Sequence, residues 1–274
     1  MPDKRPPVFF TIAAIKHEPM AALAAYMPAI QDDLRKRGYA GPFVTSTISI
    51  EPIGDDAIAS PTPSPPAQKT FTLFSQDRTS AFTFNDQGIF AHHTTKYAAR
   101  KVLFEQFRMG LELFHRHVEL QTVLRVGVRM LDLIRPADSS HVMSDYVHSS
   151  LLGFQSIDCA KAWTPGMSTM DFRFVDGDAE VIAKFDCLPD GFGIQSDLFA
   201  TLKGHALPTH VTGHPGLMHG ILDIDAATRS LPSDVSRPFD IETIMVELGT
   251  HKDRISKLFR AAVTPLALSE WGLV

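Results

Sequence analysis

The order in which the hydrophobic pattern changes period constrains this chain most. Val8 to Ile15 is β-branched and aromatic, which reads as a strand. After Pro19, Leu23, Met27, Ile30 and Leu34 recur three and four apart, so a helix is expected over residues 20–37, ended by Gly38 and Gly41. Strand patterns return over residues 43–50, 69–75, 80–85 and 88–94, with a tight turn at Asn85-Asp-Gln-Gly88. A long helix follows over residues 96–118, with Val102, Phe107, Leu111 and Phe114 on one apolar stripe.

The same order then recurs. Thr122 to Ile134 reads as a strand and residues 144–152 as a short helix. Strands are expected over residues 153–162, 167–175, 179–188 and 217–224, with Asp176-Gly-Asp178 closing a hairpin. Residues 240–262 form a helix with Ile241, Ile244, Leu248, Ile255 and Leu258 on one face, and residues 265–271 close the chain. Each half therefore reads strand, helix, four strands, helix, as a repeat of pattern without a repeat of residues. The expected fold is α+β. Two βαββββα units, residues 1–120 and 121–274, pack as one globular body, a mainly antiparallel sheet with its long helices on one face. With 274 residues the chain is long enough for a full core. Between residues 59 and 67 four prolines forbid helix and central strand, so an exposed loop is expected.

Charge and motifs narrow the function. A net charge of -5 advertises no broad basic face, so direct nucleic-acid binding is not expected. Two cysteines, Cys159 and Cys187, suit buried thiols in a reducing compartment better than a disulfide framework. No apolar run approaches the length of a membrane span, and no cleavable leader is visible, so a cytoplasmic location is expected. The chain carries no nucleophile elbow, phosphate loop or zinc-protease motif. A binding protein without cofactor or metal is therefore expected rather than an enzyme.

Three clusters invite a chemical reading. His205, His210, His214 and His219 are spaced five, four and five apart in a Gly- and Pro-rich loop, which matches no compact zinc motif; solvated loop histidines are expected. His92 and His93, adjacent on a strand, should face opposite ways. Asp223 and Asp225 share a strand face and, with loop histidines, form the rival reading of a metal-dependent hydrolase or nuclease; the plainer expectation is a polar, solvent-facing strand side. Arg125 and Arg129 flank Gly127 on one strand face, which offers a cationic site; cross-strand pairing with acids such as Asp171 or Asp186 is the preferred expectation.

Gln195-Ser-Asp-Leu-Phe199 lies beside that loop, where an adjacent Leu–Phe pair is expected to be exposed and able to anchor a partner. Its pattern resembles the short peptide by which bacterial replication proteins dock on the DNA polymerase sliding clamp. The resemblance implies that Leu198 and Phe199 fill an apolar pocket, that Gln195 hydrogen-bonds beside it, and that Ser196 and Asp197 complete the extended peptide. Gln68-Lys-Thr-Phe-Thr-Leu73 is a looser match that also reads as a plain strand.

Phe74-Ser-x-Asp77, Tyr97 at the long helix, Arg125-x-Gly-x-Arg129, Leu222-Asp-Ile-Asp225 and Trp271 together resemble a sporadically distributed bacterial protein family. Met130-Leu-Asp132 departs from it, since that family tends to carry an aromatic residue and an asparagine there. Joined to the clamp peptide, the resemblance is to SocB-type toxins of SocA–SocB toxin–antitoxin pairs. It implies a replication inhibitor that displaces clamp clients, and a SocA-type antitoxin that serves as proteolytic adaptor to the ClpXP protease.

Overall fold

The computed structural model describes residues 6–41, 43–48, 68–136, 140–156, 167–189, 198, 201–208, 211, 218–229 and 236–273. The proline-rich residues 59–67 lie outside them, as do Cys159, His210 and His214.

The chain is α+β, with a ten-stranded sheet in which every pair is antiparallel. In chain order the first half gives β1 (Val8–His17), α1 (Leu23–Lys36), β2 (Phe43–Ile48), β3 (Gln68–Phe74), β4 (Ser80–Asn85), β5 (Ile89–Thr94) and α2 (Arg100–Val118). The second half gives β6 (Thr122–Ile134), α3 (Met143–Tyr146), a 3-10 helix (Ser149–Ser156), β7 (Ser168–Asp176), β8 (Ala179–Leu188), β9 (His219–Thr228), β10 (Arg237–Pro238), α4 (Ile241–Ala262) and α5 (Pro265–Glu270). The strand order is β2-β3-β4-β5-β1-β6-β9-β8-β7, with β10 beside β6. The halves meet at β1 and β6, and outward from that seam β5-β4-β3-β2 on one side answers β9-β8-β7 on the other.

Three helices, α1, α2 and α4, cover one face of this sheet. Alternation on the strands turns Ala13, Ile15, Val126, Val128, Phe82, Phe90, Leu222 and Ile224 toward them, and Leu34, Phe107, Phe114, Leu248 and Ile255 close the core. The helix periodicity differs from expectation at one position. Val102 is 40% exposed and Leu103 is buried instead, because the stripe through Phe107, Gly110 and Phe114 meets the sheet one residue later. Gly110 is required by this contact: a Cβ there would sit 2.2 Å from the Phe82 ring.

The strand expected over residues 153–162 is not formed at its start. Residues 149–156 are a 3-10 helix broken at Gly153, whose φ of 53° suits glycine, and residues 157–162 lie outside the described set. Among the described residues the second half also carries the short β10, which pairs with β6. Gln68–Leu73 is strand, with Leu73 and Phe71 in the core. No helix among the described residues is long and apolar enough to cross a membrane.

Candidate functional site

The face opposite the helices is open over much of its area, but not at the end where β1, β6, β8 and β9 converge. There the strands turn Phe10, Leu131, Leu133, Leu188 and Ile221 outward. Such side chains favour cover, and the segment containing residues 198–211 supplies it through Leu198, Leu202 and Val211. Leu198, expected as an exposed anchor, is therefore buried, with 4% of its surface accessible. Its neighbours Gln195, Ser196, Asp197 and Phe199 lie outside the described residues.

A chain of hydrogen bonds fastens this cover. His205 is buried, not solvated as expected for a loop histidine, and its ring packs edge-on to Phe10, Phe74 and His93. Close approach is possible because Gly204 has no Cβ, which would fall 2.2 Å from the Phe74 ring. The bonds fix the tautomers. The Arg78 carbonyl can only accept, so His205 Nδ1 donates to it at 3.1 Å and Nε2 is left as an acceptor. His93 Nδ1 then donates to His205 Nε2 at 2.8 Å, and His93 Nε2 accepts from the Thr83 hydroxyl at 2.7 Å. Thr83 accepts in turn from Thr72 at 3.0 Å. Both imidazoles are neutral. Burial lowers the pKa of His205 to about 4 and that of His93 well below its ordinary value. Thr95 adds a hydroxyl bond of 2.7 Å to the Ala206 carbonyl, and the Ala206 amide donates to Arg78 O at 2.9 Å.

His92 faces the other way, as the strand period requires. It accepts or donates at Nε2 with Ser80 and Tyr39, at 2.8 and 3.2 Å, inside the helix-side core. Its Nδ1 is buried without a partner among the described residues, and desolvation lowers its pKa to about 3.

Beyond the cover, the open face carries a shallow groove of about 230 Å³. Its floor is a cross-strand row of small residues, Ala14, Gly127 and Ala227, and Ile12, Lys16 and Arg125 rise beside it. Arg129 pairs across strands with an acid, as expected, but the acid is Asp223 rather than Asp171 or Asp186. Arg129 forks onto Asp223, Nε to Oδ1 at 2.9 Å and Nη2 to Oδ2 at 2.6 Å, while Arg125 Nε donates to the Thr228 carbonyl at 3.1 Å. Asp186 and Asp171 are two and three strands from β6, out of reach in this order. The ion pair also corrects the solvent-facing reading of Asp223, which is 4% exposed. A carboxylate engaged at both oxygens by a guanidinium offers little to a metal or a substrate proton. Among the described residues no group of three His, Cys, Asp or Glu side chains could hold a metal ion. Cys187 is buried on β8, and burial pushes its thiol up to about 11, which makes it unreactive.

One polar group on the helix side was not singled out by the pattern. Asp132, on β6 between Met130 and Ile134, is 5% exposed. Burial raises its pKa to about 7, against the attraction of Lys252 on α4. A lone acid in the run Met-Leu-Asp-Leu-Ile was the available signal. The His93–His205 pair left none, since its members are 112 positions apart.

Comparisons with family models, with curated proteins and with solved structures returned no match.

Proposed function

We propose that this chain acts by binding another protein, the DNA polymerase sliding clamp, through Gln195-Ser-Asp-Leu-Phe199, and inhibits replication by displacing clamp clients. A SocA-type adaptor and the ClpXP protease belong to the same reading. What supports it is the clamp-peptide pattern of Gln195-Ser-Asp-Leu-Phe199, whose Leu198 lies on a segment that covers the sheet rather than pairing in it. Leu198 belongs to a segment held by apolar contact, the His93–His205 pair, the Thr95 hydroxyl on Ala206 and two bonds to the Arg78 carbonyl, so that lifting it unpairs no described strand.

Docking is then an exchange. Leu198 leaves its own apolar site to enter the clamp's, so its burial adds little net free energy, and Phe199 and Gln195 carry the gain. Withdrawing one buried leucine costs about 2 kcal/mol, which lowers the apparent affinity roughly thirtyfold below that of a freed peptide. A variant with a weakened cover, His205→Gln, should bind the clamp more tightly than the parent chain.

The test is retention of the purified chain on immobilised clamp, challenged with a free peptide of residues 195–199. Saturating peptide should release it. A second reading, a binding module that uses the groove over Ala14, Gly127 and Ala227, is favoured by that groove's small-residue floor on the open sheet face. Retention that the peptide leaves unchanged would point there and away from the docking peptide.

A further inference from the structure

In the first half β3 lies inside the sheet, covered by β2, whereas its counterpart β7 pairs with β8 alone among the described residues. Exposed edges are usually blunted by proline, lysine, a bulge or short length. β7 has none of these: its nine residues, Ser-Thr-Met-Asp-Phe-Arg-Phe-Val-Asp, run in unbroken register with β8. Phe174 and Val175 stand 45% and 57% exposed, and Phe172 stacks on Phe174 with ring centres 6.4 Å apart.

The sequence of this edge is complementary to itself. A two-fold axis perpendicular to the sheet pairs β7 antiparallel with a second β7 and keeps each face continuous, so odd residues meet odd and even meet even. Centred on Phe172, the register engages all nine residues. On the helix side Phe172 meets the partner's Phe172 and Met170 meets the partner's Phe174, a continuous apolar strip. On the open side Asp171 meets the partner's Arg173, and the converse, twice per interface.

Neighbouring registers fail on charge. Centring on residue 171 sets Asp171 against itself, and centring on residue 173 sets Arg173 against itself. The charges are also available. Asp171 has no ion-pair partner among the described residues, because Lys184 opposite leans to Asp186 at 3.8 Å. Arg173 binds Glu180 through Nε and keeps its side chain 70% exposed. We propose that this chain pairs with a second copy of itself along β7, in the two-fold register centred on Phe172, extending the sheet across both molecules.

Sedimentation of the full chain over a concentration series tests this. The parent chain should dimerise reversibly. Asp171→Arg and Arg173→Asp each place like charges opposite one another twice, and each should weaken self-association about tenfold or more. Mixed together, the two variants complement each other: at positions 171 and 173 one chain carries only arginine and the other only aspartate. The mixture should form a one-to-one dimer tighter than either variant alone. Phe172→Cys gives a readout independent of charge, an oxidised covalent dimer, because the axis sets this residue against its own copy. A parent chain that stays monomeric at its solubility limit overturns the proposal, its edge then being covered from within the same molecule. So do charge variants that dimerise as the parent does, a mixture no tighter than its components, or a Phe172→Cys chain that fails to cross-link.

Discussion

Asp132→Asn should stabilise the fold at alkaline pH and leave it nearly unchanged in mild acid. The Asp132 carboxyl is 5% exposed and raised from 3.8 to about 7, chiefly by burial. The unfolded carboxyl titrates near its ordinary value, so between the two the folded chain binds the extra proton. Stability therefore falls as pH rises through that window. At about 1.4 kcal/mol per pKa unit, the fold carries a cost of up to ~4 kcal/mol once the group is ionised. Asparagine removes the ionisation and adds a buried amide, which costs about 1 kcal/mol if unsatisfied. A net gain on the order of 2–3 kcal/mol is expected near pH 8, and about zero near pH 5. Urea unfolding of both chains across this range measures it. The difference between them is the readout, since the histidines change stability equally in both. A difference that stays flat with pH, or a variant less stable than the parent near pH 8, would refute the assignment of Asp132 as a strained acid.

Arg129→Ala takes the guanidinium away from the 4%-exposed Asp223 carboxylate and should lose roughly 3–5 kcal/mol, whereas replacing both residues by leucine should lose less. Urea midpoints of the single and double variants check this; equal losses would contradict it. The buried histidines make the fold acid-sensitive. His205 titrates at about 4 in the fold and near 6.5 unfolded, so its contribution is complete above 6.5 and is lost as pH falls toward 4. His205→Gln should flatten the acid side of the stability profile, and an unchanged profile would count against the neutral pair.

The strand and helix order was legible because burial on one face writes its period into the sequence. β1, α1, α2, β7, β8 and α4 all sit within a few residues of where periodicity puts them. The miss at residues 153–156 has a local cause: Ser149 to Ser156 is apolar enough for a strand, but Gly153 takes a left-handed turn inside it. The miss at Leu198 has a long-range cause. Only the assembled sheet reveals that Phe10, Leu131, Leu188 and Ile221 converge and favour cover. The same holds for Arg129, whose partner depended on β9 lying beside β6 rather than on any spacing along the chain.

The docking claim is tested most directly by the affinity of the purified chain for the sliding clamp, measured beside Phe199→Ala and Leu198→Ala/Phe199→Ala with circular dichroism of each. Leu198 helps bury the open-face cluster, so the double variant should lose some stability while keeping its strand and helix signal. Because Leu198 gains little net burial, the loss of clamp binding should come from Phe199, whose burial is worth about 2–3 kcal/mol before ordering costs, a weakening of roughly thirtyfold or more. Phe199→Ala alone should account for most of that loss, because Leu198 only exchanges one apolar site for another. A parent chain that does not bind the clamp, or a folded double variant that binds it as tightly as the parent, would contradict the account.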